Sequence, residues 1–292
     1  MDLFNRIMDP FNREKKIVAL GHPSSGKSCY MQMAISYLFR YGKGIKITKW
    51  NTEVDKVADQ TEEILSAGKW PDKTELTNTY QIELSTWAGL KCKRTLIDWP
   101  GEAFTAVGLE REGCRDKADD MWKNCAPCTK EGFVKDCEEA NGFLLFLDGE
   151  RLLQGDEEWN STRECLYWLK DLIMASKEER IFSIIVTKSE FLEGTPEFGT
   201  EDSKKVHEKK IYEHIREKCS AFFKALEEMV EENRCSYLVA PVTCLPVPEH
   251  REDTEKGTFA NNGWKLEDMQ KSNIADSQAD MIEPIRWLIN NL

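Results

Sequence analysis

Apolar and polar positions alternate along this chain between strand-like and helix-like periods. Lys16-Ile17-Val18-Ala19-Leu20 is a short, bounded apolar run and predicts a buried strand. Cys29 to Leu38 has helical spacing, and the glycines of Tyr41-Gly42-Lys43-Gly44 stop that helix. Ile45 to Trp50 alternates as a strand does, and Glu53–Ser66 sets Val54, Val57, Ile64 and Leu65 among charged neighbours as a helix does. Tyr80–Trp87 and Lys93–Ile97 predict two strands joined through Ala88-Gly89-Leu90 as a hairpin. Asn141–Asp148 is the most apolar strand and belongs in the middle of a sheet. From Glu157 to Ser176, Trp159, Cys165, Leu166, Trp168, Leu169, Leu172 and Ile173 recur at helical spacing, a core-facing stripe. Ile181–Val186 and Ser236–Val242 predict further buried strands. Between them, Ser203–Glu232 reads as one long helical stretch with Ile211, Ile215, Phe222, Phe223, Leu226 and Val230 on one face. Leu245–Ser272 is polar loop, and Asn273–Leu292 closes with a helix whose start Pro284 marks. Strands alternating with helices predict an α/β fold: a mostly parallel central sheet flanked by helices, with an antiparallel edge pair.

Composition changes this picture little. At 292 residues and 40% apolar, the chain can bury a sizeable core as one large or two small domains. Mean hydropathy of -0.55 and the lack of a long apolar run exclude a transmembrane helix. Met1–Lys16 lacks the apolar centre of a signal peptide, so a cytoplasmic protein is expected, its ten cysteines reduced or metal-bound. The net charge of -12 argues against direct nucleic-acid binding by the fold as a whole. It leaves nucleotide binding open, because that relies on backbone dipoles and one lysine.

Candidate chemistry begins between the first strand and first helix. Gly21-His22-Pro23-Ser24-Ser25-Gly26-Lys27-Ser28 fits the phosphate-loop (Walker A) spacing of Gly, four free residues and Gly-Lys-Ser/Thr. In that reading Gly21, Ser24, Ser25, Gly26 and Cys29 line the nucleotide, Lys27 reaches the β- and γ-phosphates, and Ser28 ligates Mg²⁺. The turn-rich Gly68–Thr74 loop offers Thr74 as a second metal ligand, with Thr77 and Thr79 close by. Asp98-Trp99-Pro100-Gly101-Glu102 follows a strand: Asp98 would hold Mg²⁺ through water, Gly101 would give its N–H to the γ-phosphate, and Glu102 would orient the attacking water. Thr187-Lys188-Ser189-Glu190 sits where guanine-specific proteins carry Asn/Thr-Lys-x-Asp, and Thr243 falls in a candidate base-contacting loop. Lys188 would cover the base and Glu190 would accept from guanine, favouring guanine over adenine. Arg111 and Arg115 are the candidates for a catalytic arginine, though each reads as a surface residue. Within Ala103–Ala140, Cys125-Ala126-Pro127-Cys128 has metal-ligand spacing, and Cys114 and Cys137 could complete a structural zinc site in a polar insertion with little core of its own. Unligated thiols are the alternative.

These three signals in this order resemble the Ras-like P-loop GTPase superfamily from Lys16 to the last helix. The Gly68-Lys69-Trp70-Pro71-x-x-Thr74 loop, Asp98-x-Pro100-Gly101-Glu102 and Glu283-Pro284-Ile285-Arg286-Trp287-Leu288 are similar to the bacterial double-GTPase family of prokaryotic conflict and defence systems. The resemblance implies a single GTPase domain over 1–292 with a Cys-rich insertion at 103–140. It further implies GTP/GDP and Mg²⁺ as ligands, slow partner-stimulated hydrolysis and partner subunits, among them a second GTPase or an effector chain. An ATPase or nucleotide kinase on a related fold, and a nucleotide-holding scaffold without turnover, are the alternatives.

Overall fold

The computed structural model describes residues 14–41, 46–66, 77–85, 91–125, 127–153, 156–192, 204–242 and 282–292. Seven strands form one sheet: β1 (Lys15–Gly21), β2 (Lys46–Trp50), β3 (Asn78–Ser85), β4 (Lys91–Asp98), β5 (Gly142–Asp148), β6 (Arg180–Thr187) and β7 (Cys235–Val242), in the order β2-β3-β4-β1-β5-β6-β7. β4, β1, β5, β6 and β7 run parallel; β3 is antiparallel to both β2 and β4. The fold is therefore α/β with a mostly parallel, mixed sheet.

Parallel strands covered on both faces need apolar side chains at every position, and β5 and β6 are buried along their whole length. Ile17 and Ala19 of β1 face one side with Leu144 and Phe146, beneath α1 (Lys27–Tyr41), α2 (Thr52–Ser66) and α10 (Glu283–Asn291). Val18 and Leu20 face the other with Phe143, Leu145 and Leu147. There they meet α3 (Gly101–Arg111), α5 (Lys130–Glu139), α7 (Asp156–Ala175), α8 (Lys204–Lys218) and α9 (Ser220–Glu231). Phe143 and Phe182 stack at 5.1 Å on this second face, with Phe222 edge-on to Phe182.

Two expectations change. The 204–231 stretch is two helices, broken at Cys219, where φ is -124° and ψ 41°. Its buried stripe runs on through Ile215, Cys219, Phe222, Leu226 and Met229, with Val230 exposed instead, so the break is tertiary: a straight helix of that length would run about 42 Å, while an eight-residue strand such as β7 covers only about 26 Å.

The 103–140 segment is also not a polar appendage. It forms the rest of α3, α4 (Arg115–Asn124) and α5. Phe133 of α5 is fully buried, edge-on to Trp99 and Trp122 and stacked on Trp168. Asp136 accepts from the Trp99 indole at 3.1 Å and from Lys16 at 3.0 Å, which ties the segment to β1. α6 (Gly149–Leu153) is a short helix that apolar spacing did not signal.

Candidate functional site

Four adjacent strands, β4-β1-β5-β6, end at one level, with Ala19 opposite Asp98, Gly21 opposite Phe146 and Asp148 opposite Thr187. β1 is the switch point: the chain leaves it to build one side of the sheet, then returns to build the other. In open α/β sheets ligands bind at such a point, outside the carboxyl ends of the strands.

The β1–α1 loop leaves the sheet at this switch point. A hydrogen bond of 3.2 Å from Ser25 N to the His22 carbonyl closes a turn, and Ser24 and Gly26 take left-handed φ of 65° and 75°. Gly21 is required by contact, since a Cβ there would lie 2.8 Å from Phe146 Cβ. α1 starts at Lys27 and carries no acidic residue in its first turn, so its positive end is not offset by its own side chains. The buried Ser25 hydroxyl finds no partner among the described residues.

Around this loop the sequence-separated candidates gather. Lys27 is 4% exposed and forms an ion pair with Asp98. Gly101 presses on the loop from the α3 side: a Cβ there would sit 2.7 Å from the His22 carbonyl carbon and 2.9 Å from Pro23 Cα. On the β6 side the Thr187 hydroxyl lies 2.5 Å from the Ser25 carbonyl oxygen and 3.1 Å from that of Leu147. Lys188, at φ 53°, donates to Asp148 at 2.8 Å and lies 3.6 Å from Glu150. Glu102 is buried in the first turn of α3. Ser28 lies in the first turn of α1, and Cys29 packs against the apolar core behind it. Thr74, Thr243 and the side chain of Glu190 lie outside the described residues.

The cysteines behave differently. Among the described residues no group of three or more His, Cys, Asp or Glu side chains is arranged to hold a metal ion. Cys125 and Cys128 lie close enough to interact, as their two-residue gap implies, while the set of four, Cys114, Cys125, Cys128 and Cys137, forms no metal-holding group among the described residues. Cys114 is half-buried at the N-cap of α4, and the Cys128 thiol meets Thr77 at 3.3 Å. Burial pushes the Cys125 thiol up to about 11 and the fully enclosed Cys137 thiol well above its usual value, favouring the protonated forms. Arg111 is held at the surface by Glu164 and Asp171, over the Tyr167 ring, and Arg115 is exposed.

Sequence reasoning missed His22, Thr105, Asp148 and Cys165. His22 occupies a free position of the loop spacing, so no motif marks it. Its buried ring places Nδ1 3.0 Å from the Thr105 hydroxyl and Nε2 3.5 Å from the Cys165 sulfur. Burial, with the charge of Arg151 adding and the Ser161 backbone opposing, pushes the imidazole down to about 4, so it is neutral at pH 7. Asp148, at the end of β5, had only its place on an apolar strand to mark it.

Compared with known proteins, the chain matches no family model and no curated protein.

Proposed function

We propose that the chain is a P-loop GTPase of the Ras-like type, a slow guanine-nucleotide switch that acts with partner proteins. One observation carries the reading. Three signals far apart in sequence meet at the loop after β1: Asp98 on Lys27, Gly101 on the His22–Pro23 backbone, and Thr187 on the Ser25 carbonyl.

The residues fit a triphosphate. A first helical turn with no acidic residue of its own, a buried lysine and a buried Ser25 hydroxyl without a partner among the described residues all favour an anion. The Lys27 ammonium would exchange part of its contact with Asp98 for phosphate oxygens. The Ser28 hydroxyl and Asp98 carboxylate are the hard oxygen donors Mg²⁺ takes, and the metal would neutralise charge on the phosphates. The Gly101 N–H would sense the terminal phosphate, and Glu102 would orient the water. The Lys188 stem would lie along the base. No arginine among the described residues is assigned to the phosphates, so a partner is expected to raise the rate.

Calorimetry with Mg²⁺ and GTP tests this. Saturable binding, GTP preferred over ATP, and slow phosphate release are expected. No binding at saturating GTP overturns the reading. Preference for ATP would make the Thr187-Lys188 match accidental.

A further inference from the structure

We propose that His22 is a positioning residue that clamps the first turn of α3 to the β1–α1 loop, so that the Gly101 peptide is held at a fixed distance from the loop.

Three contacts argue for it. The His22–Pro23 backbone lies directly beneath Gly101, where any Cβ would collide with it. One helical turn later, Thr105 meets the His22 ring at Nδ1, 3.0 Å away. The same Thr105 hydroxyl lies 3.1 Å from the Gly101 carbonyl oxygen. Thr105 has a single proton. The tautomer of the ring decides where it goes: with a hydrogen on Nδ1 Thr105 donates to the Gly101 carbonyl, and with the hydrogen on Nε2, toward the Ser161 backbone side, Thr105 donates to Nδ1. Backbone and side chain of one residue therefore grip both ends of the Gly101–Thr105 turn.

The ring cannot readily swing away. The Phe104 ring stands edge-on at 6.1 Å, and Cys165 of α7 closes the far side, its sulfur also 3.2 Å from the Phe104 carbonyl. Gly108 lets α7 come this near, since a Cβ there would strike the Cys165 backbone N at 3.1 Å. Nucleotide affinity rests on Lys27 and the loop itself. The clamp instead sets where the Gly101 N–H points, which bears on the reacting phosphate.

The effect on turnover rests on the GTPase reading; the clamp does not. The test therefore has two readouts on the full chain. The first is amide hydrogen exchange of the 101–105 segment without nucleotide. In His22→Ala and in Thr105→Val it is expected to speed up by about tenfold or more as the turn opens more often. Unchanged exchange in both variants overturns the clamp. The second is steady-state GTP turnover. Either variant should lower kcat by about 10- to 100-fold with KM within about threefold of wild type. The double variant should be no slower than either single one. Thr105→Ser and His22→Asn, which keep a hydrogen-bonding group near Nδ1, should recover most of the rate. Faster exchange with normal kcat overturns the positioning role. A wild-type chain that turns over no GTP overturns the GTPase reading and the positioning role with it, while exchange still decides the clamp. Should His22→Ala fail to fold, Thr105→Val, close in shape, carries both readouts.

Discussion

Two stretches of this chain carry a spacing that chemistry recognises, and the fold treats them in opposite ways. The 21–28 loop draws in residues from β4, α3 and β6, and its lysine finds an acid 71 positions away. The 114–137 cysteines lie closer together in sequence, yet no metal-holding group forms from them among the described residues. The difference lies in what surrounds each motif. The loop hangs from the switch point of a parallel sheet, where neighbouring strand ends deliver polar side chains to one level. Cys114 and Cys125 cap the two ends of α4, Cys128 lies between α4 and α5, and Cys137 lies within α5, so apolar packing of these helices orients them. Phe133 must enter the aromatic cluster of Trp99, Trp122 and Trp168, and that places Cys137 inward while Cys114 stays half-exposed.

Several substitutions would break or sharpen this contrast. The largest effect is expected at Lys27. Lys27→Ala should abolish GTP binding in calorimetry and also leave Asp98 buried without its cation, at a cost of about 3–5 kcal/mol in urea unfolding. Lys27→Ala with Asp98→Ala should recover much of that stability and none of the binding. Stability unchanged by the single substitution would mean the pair is not buried as described.

Phe133→Ala in the other stretch should cost about 3 kcal/mol through the cavity it leaves, with GTP affinity unaltered. A matching loss of affinity would show that the two stretches are coupled.

A third test uses pH. The His22 imidazole is held down to about 4 in the folded chain, against 6.5 as its ordinary value. Between those values the unfolded chain binds the extra proton and the folded chain does not, so this contribution favours folding above about 6.5 and is lost as pH falls toward 4. Relative to His22→Asn, the wild type should lose on the order of 3 kcal/mol across that window. A difference that stays flat with pH would mean the ring is protonated or solvated in the fold.

The smallest effect belongs to the half-exposed Cys114. Cys114→Ser should change stability by no more than about 0.5 kcal/mol, and Cys137→Ser, in the core, by more. Equal losses accompanied by released zinc on metal analysis would restore the four-thiolate site.

Much of the architecture was readable in advance. The seven strands fall where apolar runs or period-two alternation placed them; β5 and β6, buried along their whole length, are apolar throughout because a strand covered on both faces has little choice of composition, while β3 alternates. Pro284 did mark the start of the last helix. The residues around the loop were named from spacing, but their meeting was not visible in it. Lys27 with Asp98, and Thr187 with the Ser25 carbonyl, depend on strand order, which long-range pairing sets.

By itself the sequence determined the local periods, the strand, loop and helix at the start of the chain, and which residues fit a phosphate-loop spacing. These follow from backbone and side-chain preferences acting over a few residues. Only the tertiary structure decided that the helix breaks at Cys219 within a continuous apolar stripe, that the four cysteines form no metal-holding group among the described residues, and that His22 is buried between Thr105 and Cys165. Those outcomes depend on which surfaces compete for the same core, and that competition is settled by packing between elements distant along the chain.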